Sequence, residues 1–480
     1  MRKNYPLQKN SIVQNFPWEN FIDSYQSCRE SEFYFLNLRK RFENAIDWNF
    51  AEYGKLWTYN LSYFEYLNQR DMTKEEGLRF IGEFIKNINN IKDGMEPYPI
   101  SLRGINWIKF LNRFGISDKN INDSLYAQYY ILLDNLEYHL LGNHLLENGF
   151  SLFWGGIFFK DDRLLRKGKE IIYQELQEQI LDDGAHFELS PMYHKIILFR
   201  LLDSINLLEN NKKLNDDEFV EFLREKASLM ITWLKNISFK NYDFPLLNDS
   251  ALNIAPKTHD LLDYAKSLQI DFLPTLQLKS SGYRKISKSR YECIVDVGKI
   301  GPDYIPGHAH ADTFNFVVHI ENTPFIIDTG ISTYEAGKTR DYERSTKAHN
   351  TVEINDANSS EVWGSFRVAN RAKVVKLQED DDFIQATHDG YCKKFGILHT
   401  RKWYFWDSKI VVEDQLNKKA NAVFRLYFHP DVSIDEIKKR IKAENFEIKE
   451  CLVAFEYNKR VKSKVLEIPF EKELKVEIIV

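Results

Sequence analysis

Cysteine is scarce: the four in 480 residues, Cys28, Cys293, Cys392 and Cys451, lie too far apart for a CxxC redox pair or a metal-spaced cluster and read as buried thiols. Positive charge is in short supply too. Sixty-five Lys and Arg against 70 Asp and Glu give a formal net charge of −5, which argues against a nucleic-acid partner, since phosphate-binding surfaces carry a basic excess. An anionic ligand stays open, because a cleft can be locally basic on an acidic protein. The composition is not that of a membrane-spanning chain. Met1 to Phe16 hold Arg2 and Lys3 but no apolar stretch of roughly 7–15 residues, so no intact signal peptide is read there. The expectation is a cytoplasmic protein if the chain is complete as written, and a periplasmic or secreted one if its start was processed. Low-complexity segments are absent, and no repeat is visible by eye.

What is present describes a packed protein. Hydrophobic residues at 43% and charged residues at 28% fit a globular chain, and the length suggests two domains rather than one core. Aromatic residues make up 14%. They suit carbohydrate binding, because sugar rings stack their C–H faces on aromatic side chains, but they are equally ordinary core material.

The first half reads as helices. Leu125 to Leu141, Ile196 to Glu209 and Glu218 to Ile237 carry apolar residues at helical spacing, with Asp93-Gly94 and Asp183-Gly184 as turns. A stack of antiparallel helical hairpins follows. From about Ser281 the pattern changes to short β-rich runs: Tyr291 to Val297, Thr313 to Ile320, Phe325 to Asp328, Thr351 to Ile354, Lys402 to Glu413, Val423 to Phe428 and Val465 to Ile468. These predict an antiparallel sandwich or barrel. The domain boundary is expected between Lys279 and Arg284, giving domains 1–280 and 281–480.

The richest segment is Gly307-His308-Ala309-His310-Ala311-Asp312-Thr313-Phe314-Asn315-Phe316. In an extended chain, His308, His310 and Asp312 continue the core-facing row of Phe314, Phe316, Val318 and Ile320. Buried polar groups need partners, and a metal is one. His310, Asp328 and His349 form a candidate set, because two imidazoles and a carboxylate suit Zn²⁺ with a fourth position left for water. The alternative is that each is simply hydrogen-bonded in the core. His319, His388, His399 and His429 are read as structural.

Two clusters in the first half complement it. Asn143-His144, followed by Glu147-Asn148-Gly149, is read at the end of the Leu125 to Leu141 helix, where Asn-rich sequence is commonly a cap or turn. Asp183 to His194 crowds His186, Glu188, Tyr193 and His194 at a turn ahead of a helix. A tyrosine can move a proton if its neighbours lower its high pKa; the alternative is a buried Tyr with a satisfied hydroxyl. Glu96 to Arg103, running into Trp107, sets a guanidinium beside aromatics, for a carboxylate or sulfate or for a salt bridge at a helix start.

Taken together, Lys55 to Asn60, Glu96 to Trp107, Asn143-His144 with Glu147-Asn148, Asp183 to Tyr193, His308 to Asp312, Asp328-Thr329-Gly330 and Arg344 to Thr351 resemble the heparinase II/III family of polysaccharide lyases. The matches run in order from about residue 55 to 351. The resemblance implies an incomplete (α/α) toroid followed by an antiparallel β-sandwich, an α+β multidomain class. It implies β-elimination of a uronate-containing acidic polysaccharide, with Asn143 neutralising the carboxylate, Tyr193 as acid and base, and His308 assisting proton transfer. His310, Asp328 and His349 would hold a zinc that orders the loop presenting His308. Arg103, His144, Asn148 and Glu188 are expected at the substrate.

Elimination needs the C5 proton made acidic by donors at the adjacent carboxylate, and a protonated leaving oxygen. The helical half is short for a secreted heparinase of this type, so the polymer can be heparan-sulfate-like or a bacterial capsule or exopolysaccharide. Two other readings compete: a zinc-dependent glycan hydrolase, and a non-catalytic glycan-binding protein of a polysaccharide biosynthesis system.

Overall fold

Long helices fill the chain from Lys55 to Ser267 and strands dominate from Tyr283 onward in the computed structural model, which describes residues 5–6, 16–18, 20–211 and 216–480. Two compact units result, and they interleave along the chain. The first holds residues 1–179, 196–227 and 263–271; the second holds 180–195, 228–262 and 272–480. The change from helix to strand straddles residue 280, but the compact units are not divided there: the segments 180–195 and 228–262 belong with the strands.

In the first unit, capping chemistry starts the helices. Thr73 accepts from the Glu76 N–H ahead of Lys74–Asn87, Asp118 accepts from the Ile121 N–H ahead of Lys119–Asp134, and Pro97 opens Pro97–Arg113 where its missing N–H has no consequence. Gly142–Phe159 and Asp162–Gln179 pack antiparallel at very close range. A Cβ on Gly168 would lie 2.4 Å from the Phe153 nitrogen, and one on Gly156 would lie 2.5 Å from the Leu165 nitrogen. Glycine is therefore required by backbone approach. Two ion pairs are buried here, Lys109 with Asp203 and Arg200 with Glu147.

The helix expected over Leu125 to Leu141 stops early. Asn135 caps Lys119–Asp134, its side chain donating to the Ile131 carbonyl at 2.7 Å, and Leu141 adopts φ 54°. Asn143 and His144 consequently stand in the first turn of Gly142–Phe159, not at the end of the preceding helix. The apolar pair Leu140-Leu141 prolongs the helical pattern in sequence, while the chain turns through it.

The second unit is a β-sandwich. One antiparallel sheet runs Val374–Asp380, Phe383–His388, His399–Trp406, Lys409–Leu416, Glu473–Ile479 and Ile441–Lys442. The other runs Glu447–Glu456, Lys459–Phe470, Ala422–Phe428, Thr323–Ile326, Phe316–Ile320, Tyr291–Asp296 and Tyr283–Ser287, with Val352–Ile354 also pairing Ala422–Phe428. Side chains from both, including Cys293, Val295, Phe316, Val318, Trp403, Phe405, Val412 and Ile478, form one buried core. His399–Trp406 alternates buried residues with half-buried ones and ends on the exposed Trp406, the period of two that a sheet with one covered face imposes. The run read as Lys402 to Glu413 is in fact two strands of a hairpin turning at Asp407-Ser408.

The expected row from His308 to Ile320 is interrupted. Its strand begins only at Phe316, and Phe314 takes φ 72°, left-handed backbone that ends the alternation. Phe314 is fully buried against His388, His399 and Trp403, and its carbonyl accepts from Arg401 at 2.9 Å. The loop bearing His308, His310 and Asp312 thus leaves the sheet at a fixed bend. No helix among the described residues is long and apolar enough to cross a membrane.

Candidate active site

Several titratable side chains converge in the second unit because three loops are stapled together by hydrogen bonds between side chains and backbone. Gly184, at φ 87°, turns the chain so tightly against the helix Asp217–Ile237 that a Cβ would lie 2.2 Å from the Leu229 carbonyl oxygen. Asp183 accepts from the Lys279 and Ser281 N–H groups, both at 2.9 Å. The Leu189 carbonyl accepts from the Tyr283 hydroxyl at 2.6 Å and the Asn248 amide at 3.1 Å. Asn248 in turn accepts from the His310 N–H at 3.1 Å, and the Asp249 N–H donates to the His308 carbonyl at 3.2 Å. The helix Pro191–Glu209 then places Tyr193 in its first turn.

Asp249 is the hub. Its Oδ2 is 2.9 Å from His308 Nδ1 and its Oδ1 is 2.9 Å from His310 Nε2, while Arg340 donates to both oxygens, at 2.5 and 2.7 Å. Burial alone would raise this carboxyl, but the Arg340 guanidinium, with His308 and His310, holds it well below the usual carboxylate range. An ionised Asp249 accepts a hydrogen bond from each ring. That assigns the tautomers from the network: Nε2 of His308 and Nδ1 of His310 carry the lone pairs.

Tyr193 stacks on His308, ring centroids 4.0 Å apart, and its hydroxyl lies 3.1 Å from the Tyr334 hydroxyl. The hoped-for lowering of its pKa is reversed: burial pushes the phenol up, and the bond to Tyr334 only partly offsets this. Tyr193 therefore holds its proton at neutral pH. Glu188 Oε2 sits 3.9 Å from His308 Nε2 and 4.0 Å from His186 Nδ1, which brings Glu188 into the same cluster.

His310, Asp328 and His349, the three expected metal ligands, lie side by side, with Asp328 and His349 joined by a hydrogen bond. Asp328 Oδ2 accepts from His349 Nδ1 at 2.8 Å and from the Asn315 amide at 2.5 Å, and Oδ1 accepts from the Gly330 N–H at 2.9 Å. Among the described residues no group of three or more His, Cys, Asp and Glu side chains is arranged to hold a metal ion. Asp328 instead stands behind His349 and orients its ring. Even so, the His310 and His349 rings lie 5.3 Å apart, and His310 Nδ1, His349 Nε2 and Asp312 Oδ2 are buried without a hydrogen-bond partner. His310 Nδ1 is on the lone-pair side of its ring, while at His349 burial disfavours a charge but the Asp328 carboxylate outweighs it and raises the pKa.

The other expected residues lie in the first unit. Arg103 is fully enclosed: Nε donates to Gln128 at 2.7 Å, and Nη1 to the Ser62 and Gly94 carbonyls at 3.0 and 2.8 Å. These three bonds tie it into the fold. Asn148 is likewise enclosed, bonded to the Glu137 N–H and carboxylate and to Ser101. His144 is half-exposed, with Nδ1 3.1 Å from Glu137 Oε1 and its ring 4.4 Å from that of Tyr98. Asn143 is 3% exposed.

Sequence reading missed Asp249, Arg340 and Tyr334. Asp249 sits in Leu247-Asn248-Asp249-Ser250, which looks like a polar turn, and Arg340 lies on a six-residue helix, Lys338–Glu343. Only their mutual contact marks them.

Two family profiles match the chain, the heparinase II/III N-terminus over residues 108–268 and the heparinase II/III-like C-terminal region over residues 273–461. The chain belongs to the heparinase II/III family. One curated member of this family, a heparin-sulfate lyase from Bacteroides stercoris, is 24% identical over 321 residues, 61% of this chain and 46% of that protein. Another, from Pedobacter heparinus, is 26% identical over 328 residues, 59% of this chain and 47% of that protein. The chain spans about half the length of the curated relatives it matches. A crystal structure of a heparinase III superposes with a TM-score of 0.66 at 17% identity, over 92% of this chain and 80% of that one. These heparinase folds are the incomplete (α/α) toroid followed by an antiparallel β-sandwich, and this chain has that architecture.

Proposed function

We propose that this protein cleaves an acidic, uronate-containing polysaccharide by β-elimination. The observation that carries the reading is the stacked pair of His308 and Tyr193, with His308 anchored through Nδ1 on an ionised Asp249. An imidazole with its lone pair on Nε2 is a base, and a phenol that keeps its proton is an acid. His308 takes the C5 proton of the uronate, the C4–O bond breaks, and Tyr193 delivers a proton to the departing oxygen. The electron pair left at C5 becomes the C4–C5 double bond. His308 returns its proton to Tyr193 through the stacked pair or through solvent. Asn143, in the first turn of an 18-residue helix, is assigned the uronate carboxylate, where an amide and the helix N-terminus both favour negative charge. His144 and Glu188 are assigned to substrate contact.

Zinc belongs to this reading as a supporting ion. His310 Nδ1 and His349 Nε2 would hold it, each ring oriented from behind by a carboxylate, Asp249 for His310 and Asp328 for His349. Bound there, the ion would supply positive charge to two buried lone pairs and would tie down the loop carrying His308. A heparan-sulfate-like polymer is one candidate substrate, in keeping with the relatives' name of heparin-sulfate lyase; a bacterial capsule or exopolysaccharide is the other.

The test is a panel of uronate polymers followed by ultraviolet absorbance and mass spectrometry. Elimination leaves a double bond conjugated to the carboxylate, so the expected product absorbs and is lighter by one water than a hydrolytic product. Saturated products only would overturn the reading.

A further inference from the structure

A short hairpin, Glu361–Trp363 paired with Arg367–Ala369, has a polar cleft of about 510 Å³ at its root, within the roughly 300–1,000 Å³ of small-molecule sites. Four of its lining side chains are cationic, Arg371, Lys373, Lys393 and Lys394, against two carboxylates, Glu361 and Asp389, on a protein whose formal net charge is −5. The lining side chains keep a net charge of +2. Arg371 is fixed by donating to the Ile300, Pro302 and Asp303 carbonyls, neutral acceptors that orient the guanidinium and leave its charge intact. Lys393 donates to the Asn370 amide oxygen at 2.6 Å, again neutral. Glu361 is drawn onto Lys394 at 3.4 Å and onto the Asn370 amide at 2.6 Å, while Asp389 accepts from the Lys373 N–H at 2.8 Å. Both carboxylates are thus engaged by partners on the cleft's own wall.

The tip of the same hairpin leads to the reacting groups. Trp363 and Phe366 are 49% and 44% exposed, and Phe366 meets the His308 ring edge-on at 5.8 Å. The Ser365 carbonyl between them accepts from Arg340 Nε and Nη2, both at 3.0 Å. At a rise of about 3.3 Å per residue, Glu361 and Trp363 are separated by about 7 Å, a span that a short oligosaccharide bridges. Exposed aromatic faces suit the C–H faces of sugars, and a cationic cleft suits their acidic groups.

We propose that this cleft is a distal subsite holding a carboxylate- or sulfate-bearing sugar of a polymer that runs over Trp363 and Phe366 toward His308. The inference rests on the acidic-polysaccharide reading for its ligand class, and not on turnover.

Cys392 lines the cleft and is exposed, whereas Cys451 is half-buried and Cys28 and Cys293 are buried. It is a built-in reporter. The full chain carrying Tyr193→Phe is labelled with N-ethylmaleimide, site by site, in the presence of oligosaccharides of heparan sulfate, chondroitin sulfate, hyaluronan or alginate, with dextran as the neutral control. At ten times its Kd, one or more of the anionic oligosaccharides is expected to slow Cys392 labelling about tenfold. Cys451 labelling and the dextran sample are expected to be unchanged. Lys373→Ala, Lys393→Ala and Lys394→Ala combined should abolish the ratio of protected to unprotected rates. Protection by none of the four, equal protection by dextran, or full protection in the triple variant overturns the subsite. Unsaturated product from the wild-type chain without Cys392 protection sinks the subsite and leaves the lyase standing. Protection without any unsaturated product does the reverse.

Discussion

Arg340 grips Asp249 through both terminal guanidinium nitrogens, at 2.5 Å to Oδ1 and 2.7 Å to Oδ2, and both side chains are fully buried. This planar, two-bond match is one that lysine cannot reproduce. Removing one partner of such a pair strands a charge in the interior. Arg340→Met is expected to lower unfolding stability by about 3–5 kcal/mol, read by urea titration, with Arg340→Lys in between. A loss below about 1 kcal/mol would show that Asp249 is held by the histidines alone.

Asp249→Asn tests the other side of the contact. The amide keeps the shape but removes the charge that fixes the His308 tautomer, so kcat on a cleaved polymer should fall by about two to four orders of magnitude. The KM should move far less, because Asp249 is enclosed and is not assigned to the polymer. A variant with near-normal kcat would remove Asp249 from the chemistry.

Tyr193→Phe deletes the acid and leaves the ring stacked on His308. Unsaturated product should drop about a hundredfold or more while the thermal midpoint stays near that of the wild type. Full activity in this variant would sink the assignment.

Much of this was legible in the chain and some was not, for physical reasons. Helical and strand periodicities are local, so the helix Asp217–Ile237 and the strands Tyr291–Asp296 and Ala422–Phe428 followed from spacing. Leu141 and Phe314 defeated the same reasoning, because apolar residues in left-handed backbone prolong a pattern the chain has already abandoned. Tyr193, Glu188, His308 and His310 were visible as crowded polar groups. Asp249 and Arg340 lie 91 residues apart and gain meaning only when packing brings them together. The surroundings of Arg103 were hidden for the same reason: nothing in Leu102-Arg103-Gly104 announces that it will donate to three neutral oxygens.

Acid sensitivity should follow from two enclosed histidines. Burial pushes His186 down to about 4 and His194 down to about 3. The unfolded chain protonates both near their ordinary pKa of about 6.5, so it binds more protons than the fold below that pH. Stability present above about pH 6.5 is therefore lost progressively as pH falls toward 4. Replacing His194 with Gln should flatten the stability slope between pH 6 and 4 by up to about one proton. An unchanged slope would count against this origin.

Metal content gives an independent check. The purified chain should carry about one zinc, and chelation should lower its thermal midpoint, with His349→Ala removing both effects. Chelated protein that melts as before, with no zinc in the untreated sample, would remove the ion from the account. If activity survives chelation and the products stay unsaturated, metal-activated water is excluded as the nucleophile.

The bend at Phe314 carries a last consequence. A bulky residue in left-handed backbone stores on the order of 1–3 kcal/mol, and its ring, locked among His388, His399 and Trp403, keeps that strain from relaxing. The loop a few residues upstream thereby inherits the stiffness of the sandwich. His308 and His310 are held between that bend and Asp249, so the imidazole proposed to take the C5 proton is set in place before the polymer arrives.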